Sequence, residues 1–174
     1  FLFARTVELT SDSVTQSTAL FIFLKMAFSN NYLYAEFEKK KLFNLVAHVF
    51  KNENCYRGPG MLKAVLDVIF NGTMFNKKSH ADEYQINERS ELNIQNPSLL
   101  MTLLSNFNMF QLPDRSDASN LNLLFKSLKV ATRESHPYKH INRQCLVEHG
   151  FYERIIEFCK IHLTSNSNAM SLPT

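Results

Sequence analysis

Cys145, His149, Cys159 and His162 are the side chains of this 174-residue chain whose types and spacing come nearest to chemistry. Zinc prefers such ligands and needs four of them converging at about 2.0–2.3 Å. On helices, Cys145 and His149 share a face, as do Cys159 and His162. Gly150 stands between the pairs, however, where one helix must end and another begin. Leu146, Val147, Phe151, Ile155, Ile156 and Phe158 supply the apolar positions of a helix-turn-helix around it. The interval from His149 to Cys159 is also not that of a zinc finger. The stretch therefore reads as a packed turn, with cysteine acting as a small apolar residue and histidine facing solvent. The competing reading is a small zinc-binding protein built on these four residues.

A Cys/His nucleophile would need a base oriented by a third group and an oxyanion hole, and neither is recognisable. His48, His136 and His140 are scattered, and no HExxH, GxSxG or phosphate-loop pattern occurs. The turn "ENCYRGPG" has no following Lys-Ser/Thr. No catalytic residue, metal or cofactor is expected, and the chain reads as a non-enzyme.

The elements that would position these residues are helical. Only four Gly and five Pro accompany a 45% hydrophobic content, too few breakers for the many turns of an all-β fold. The net charge of +3 and pI of about 8.8 come without a long basic run, and "EKKK" at Glu38–Lys41 fits one turn of a surface helix, so nucleic acid is not expected. Three widely spaced cysteines argue against a disulfide framework and for a reducing, cytoplasmic compartment. "ALFIFLKMAF", Ala19–Phe28, is about half the ~20 residues of a membrane span and is interrupted by Lys25. Asn71-Gly72-Thr73 matches a glycosylation pattern by chance. The opening "FLFARTVELT" and the tail "TSNSNAMSLPT" suggest a segment cut from something larger.

Along the chain, Ser11, Ser13 and Thr15 offer capping oxygens to a helix whose apolar face is Leu20, Phe21, Leu24, Ala27 and Phe28. After a break at Asn30-Asn31 come "NYLYAEFEKK" and "KKLFNLVAHVFKN", the latter striped by Leu42, Val46, Val49 and Phe50. "GMLKAVLDVIFNGT" is a fourth helix, stopping near Asn71-Gly72. The stretch Lys77–Gln95 lacks periodicity and reads as a mobile inserted loop. Asn96-Pro97 caps and opens a helix carrying Leu100, Leu103, Leu104 and Phe107. A capped helix with Leu121, Leu124, Phe125, Leu128 and Val130 follows, and Pro137 and Gly150 bound the next before "FYERIIEFCKIHLT". One domain is predicted over 11–165, with an insert at 76–95 and terminal segments at 1–10 and 166–174.

Sliding Phe37 onto Leu146 superimposes Leu42 on Phe151, Phe43 on Tyr152, Val46 on Ile155, Ala47 on Ile156 and Val49 on Phe158. Two triplets of helices at armadillo or HEAT size emerge, units that bury their apolar faces only by stacking. The expected fold is an all-α, armadillo/HEAT-like α-solenoid fragment. The third helices of such units line a concave surface that can hold an extended peptide. Asn44 and His48 on one match Glu153 and Glu157 on the other, and these four are the candidate protein-binding residues.

"EFEKKKLFNLVAHVFKNENCYRGPGMLKAVLDVIF", "IQNPSLLMTLLSNF" and "NRQCLVEHGFYERIIEFC", in that order, resemble the armadillo-type region of BEACH-domain proteins, in the manner of the lysosomal trafficking regulator and neurobeachin-like branches. The resemblance covers most of Ala19–Leu163. Lys41 replaces a Gly common in the family, and Lys77–Gln95 has no family pattern. The resemblance implies a non-enzymatic, protein-interacting part of a large cytosolic scaffold in vesicle and lysosome-related organelle traffic, touching membranes only through other domains. An armadillo domain of another cytosolic regulator, formin-like, would share the architecture.

Overall fold

A computed structural model describes residues 2–40, 42–77, 84–110 and 118–164. Helices α1 (Leu2–Leu9), α2 (Ser13–Ala27), α3 (Asn31–Lys39), α4 (Leu42–Val49) and α5 (Pro59–Ile69) precede a hairpin of β1 (Phe75–Lys77) and β2 (Tyr84–Ile86). Then come α6 (Pro97–Ser105), a 3-10 turn (Phe107–Phe110), α7 (Ala118–Thr132), α8 (Lys139–Glu148) and α9 (Phe151–Thr164). The class is helical, as composition predicted. No helix among the described residues is long and apolar enough to cross a membrane.

The packing centres on α5. α1 meets α2 and α4, α3 meets α2 and α4, and α2 lies along α5. α5 then meets α6 and α7, α7 meets α8, and α9 closes on α6 and α8. α5 sits centrally because it is apolar nearly all round: Met61, Leu62, Leu66 and Ile69 are fully buried. Each contributes about 2 kcal/mol of burial. A file of phenylalanines crosses the same path. Phe3 meets Phe50 with ring centroids 5.9 Å apart, Phe50 meets Phe110 at 5.1 Å, Phe110 meets Phe107 at 5.8 Å, Phe107 meets Phe158 at 5.3 Å and Phe158 meets Phe125 at 5.9 Å. Hydrophobic contact thus runs unbroken from α1 to α7 and α9.

Several local expectations are corrected. Within 1–10, read as a terminal segment, Leu2–Leu9 form α1, whose Phe3 and Val7, one turn apart, lie in the core. The cap of α2 is Asp12, not the neighbouring Ser or Thr hydroxyls: its carboxylate accepts the Thr15 N–H at 2.7 Å. Asn96 occupies the position before α6 but does not cap it. Its amide instead donates to the Val68 carbonyl at 2.6 Å, tying α6 to the end of α5. That end is a Schellman motif with Asn71, rather than Gly72, in the left-handed region at φ 51°. Gly72 N–H reaches Asp67 O at 2.9 Å and Asn71 N–H reaches Val68 O at 3.3 Å. Gly150 does take the left-handed conformation, φ 68°, between α8 and α9.

The stretch Lys77–Gln95, read as a patternless loop, contains β2, which pairs with β1 just before it in a hairpin registered Phe75 to Ile86 and Lys77 to Tyr84. β2 seats on α5 at Gly60, where a Cβ would come within 3.2 Å of the Tyr84 hydroxyl. The chain beyond β2 is fastened by its backbone. Ser90 O accepts from the Arg133 guanidinium at 3.4 Å, Ile94 N–H donates to Asn142 Oδ1 at 2.9 Å, and the Gln95 and Asn96 N–H groups both donate to Ile69 O at 2.9 and 3.0 Å. Periodicity could not reveal this, because the segment is held by amides and not by a repeating apolar face.

Buried carboxamides recur at the joints. Gln16 donates to Thr10 O at 2.6 Å and Asn54 O at 2.8 Å and accepts the Tyr56 N–H at 2.7 Å, bolting α2 to the turn before α5. Asn142 donates to Ala131 O at 2.7 Å while holding Ile94. Asn120 donates to Arg57 O and Phe110 O, each at 3.2 Å.

Candidate protein-binding face

The helix-turn-helix at Gly150 positions the best-defined of the candidate residues. α8 ends with the His149 ring donating through Nδ1 to Cys145 O at 2.9 Å, a second bond to a carbonyl that already accepts the His149 N–H at 3.2 Å. Burial raises the Cys145 thiol above its ordinary value, with Glu148 adding to the effect. Cys159 packs on the core. The side chain of His162 lies outside the described residues. Among the described residues no three His, Cys, Asp or Glu side chains gather as a metal site. Away from this turn, burial pushes the Cys55 thiol up to about 11, which leaves it protonated and a poor nucleophile at neutral pH.

α9 begins directly after Gly150, and Glu153 falls in its first turn. There the carboxylate meets the positive end of the helix dipole. A Cβ at Gly150 would stand 3.5 Å from Glu153 Oε2, which shows the side chain folded back toward the helix start. Glu153 thus has a structural role besides its exposure. Glu157, one turn on, lines a cleft between α6, the 3-10 turn and α9 with Leu104, Ser105, Phe107, Asn108, Arg154 and Phe158. Arg154 Nη1 donates to Ser105 Oγ at 3.0 Å across it, pinning α9 to α6. Phe107 and Phe158 are buried below. The result is a notch with an aromatic floor and one charge of each sign on its rim.

His48 is exposed in the last turn of α4. The side chain of Asn44 lies outside the described residues. No described contact joins His48 to Glu153 or Glu157: α4 packs on α1 and α3, and α9 on α6 and α8. Of the four candidates, the structure groups the two glutamates along α9 and leaves His48 on another helix.

Sequence reading missed the carboxamide joints. A signal existed: Gln16 lies three and four residues before Ala19 and Leu20, and Asn142 four before Leu146, so each sits on its helix's buried stripe. A polar residue there must find backbone partners.

The chain is similar to the "Lysosomal-trafficking regulator" of Drosophila melanogaster, 26% identical over 172 residues. The similarity covers 99% of this chain and 5% of that protein, so the chain spans about a twentieth of the relative's length. No family model matches the chain, and no solved structure matches it.

Proposed function

We propose that this chain is a non-enzymatic, protein-interacting segment of a BEACH-type trafficking scaffold, acting in the cytoplasm on vesicle and lysosome-related traffic. The observation that carries the reading is the similarity to the lysosomal-trafficking regulator along nearly the whole chain, which leaves no stretch to be explained by another kind of protein. The helix-on-helix packing of α1 through α9 supports a further step, that these helices stack as an armadillo/HEAT-like solenoid. In such a stack the outer face of α9, with Glu153 and Glu157 beside the aromatic-floored notch, receives the partner. Asn44 and His48 form the corresponding part of the preceding unit.

The test is an exchange. In fly cells lacking the regulator, a version carrying this chain in place of its matching segment is expected to restore lysosome size and position. A second exchange carries Asn44→Ala, Glu153→Ala and Glu157→Ala. It is expected to be expressed at the same level, with only the small loss of thermal stability that follows from removing the Glu153 charge from the start of α9, and to fail in rescue. Loss of rescue by the unmodified exchange would remove the trafficking role. Full rescue by the triple variant would remove the face while leaving that role standing.

A further inference from the structure

We propose that the partner received on α9, the reading on which this rests, straddles the end of α6. It seats an aliphatic side chain in an apolar cavity on the α4 side and a basic residue in the notch on the α9 side. The geometry lies in how α6 and the 3-10 turn divide their side chains. Leu104, Ser105, Phe107 and Asn108 line the notch. Thr102, Leu103, Asn106, Met109 and Phe110 line a second cavity, walled also by Leu24 of α2, Val46 and Phe50 of α4 and Val65 of α5. Spacings of three and four thus send one set to each side of a single ridge. On its crest Ser105 and Asn108 are exposed, and Thr102, Asn106 and Met109 are half-buried, so solvent reaches both hollows along one line. The two halves of the candidate face, on α4 and α9, thereby border the same ridge from opposite sides.

The second cavity measures about 40 Å³. A few waters would fit by volume, since each needs about 10–15 Å³. The chemistry disfavours them. The polar side chains on its wall are Thr102 and Asn106, and both are engaged already: Thr102 Oγ1 donates to Ser98 O and Asn106 Nδ2 to Thr102 O, each at 2.9 Å. Water so poorly held is displaced with a gain by an apolar group. Cavities that take benzene measure about 150 Å³, so this one admits the tip of a Leu, Ile or Val and not a ring. Met109, unbranched and at the rim, can repack around it. Across the ridge, Glu157 lines the notch with Phe107 and Phe158 beneath, a carboxylate beside aromatic rings that suits a Lys or Arg. Arg154, the cation on that rim, is drawn aside to Ser105 Oγ at 3.0 Å. A ridge one helix thick is about 10–12 Å across, the reach of about three or four extended residues.

Selection of a random peptide library on the 174-residue chain tests this. Enriched peptides are expected to carry an aliphatic residue and a Lys or Arg about three or four positions apart. Changing either to Ala in the peptide should weaken binding about tenfold, as at other interface anchors. Thr102→Leu fills the cavity from its rim with a better helix former, and should weaken the same peptides about tenfold while leaving the peptide without its aliphatic residue unaffected. Glu157→Gln should act only through the basic residue. Peptides that respond to Glu157→Gln and not to Thr102→Leu overturn the cavity and leave the α9 face standing. Peptides indifferent to both, or no enrichment, overturn both. Self-association of the wild type that Thr102→Leu abolishes makes a second copy the occupant and also overturns the proposal. Should Thr102→Leu not fold, nuclear Overhauser contacts in the wild-type complex decide: from the peptide's aliphatic methyls to Val46 and Leu103 they support the proposal, and to other residues they refute it.

Discussion

Asn142→Leu is expected to lower the free energy of unfolding by about 3–4 kcal/mol, since each buried group left without a partner costs about 1–3 kcal/mol. The substitution keeps nearly the same shape, so no large cavity adds to the effect. What is lost is the acceptor for Ile94 N–H at 2.9 Å and the donor to Ala131 O at 2.7 Å, in a side chain with no exposed surface. Both backbone groups sit where water does not reach, because Ile94 and Ala131 are themselves in the core. For a domain of this size the melting temperature should fall by about 10 °C, at about 2–4 °C per kcal/mol. Gln16→Leu orphans three groups, but two belong to Thr10 and Asn54 near the surface, and it should cost less. Thermal or denaturant unfolding of the two variants checks both size and order. A loss below 1 kcal/mol for Asn142→Leu would show that water replaces the amide, and that this joint is looser than its distances imply.

Phe110→Ala is expected to cost about 4 kcal/mol, in the range of buried aromatic truncations. Its ring is the third of six in the phenylalanine file, touching Phe50 on one side and Phe107 on the other. Truncation removes both contacts and opens a hole between the α1–α4 side and the α6–α9 side. Phe125→Ala, at the end of the file and 39% exposed, should cost a small part of that. Urea unfolding distinguishes a weaker but intact unit from a divided one. With the file as a second bridge beside α5, Phe110→Ala should also broaden the transition, because the two sides then unfold less cooperatively. Equal losses at Phe110 and Phe125 would show that the file is a coincidence of packing.

Helices with a long apolar stripe or a clear stop were legible in the sequence. Leu20 and Leu24, the Pro97 start and the Gly150 stop all act as their types require. What was not legible depends on partners distant in the chain. α1 is eight residues with only Phe3 and Val7 buried, too short a pattern to separate from a tail. The hairpin is positioned where β2 packs on α7 and Tyr84 approaches Gly60, and the segment after it where Ile69 and Asn142 offer groups to its amides. Asn96 was legible as a position but not as a contact, since nothing local indicates that its amide turns to Val68. The candidate face was half legible: helical spacing grouped Glu153 with Glu157, but it could not show Arg154 crossing to Ser105 or the aromatic floor.

The end of α5 also bears on how this protein ages. Asn-Gly pairs deamidate readily because the glycine nitrogen can attack the preceding side-chain carbonyl and close a succinimide ring. Here that nitrogen belongs to Gly72 and is committed to Asp67 O, while the Asn71 side chain is engaged by Lys25. Ring closure would have to break the motif that terminates the helix. The folded protein should therefore keep Asn71 intact during storage, whereas its tryptic peptide should deamidate within days, and mass spectrometry of the two samples would show how far a helix stop can double as chemical protection.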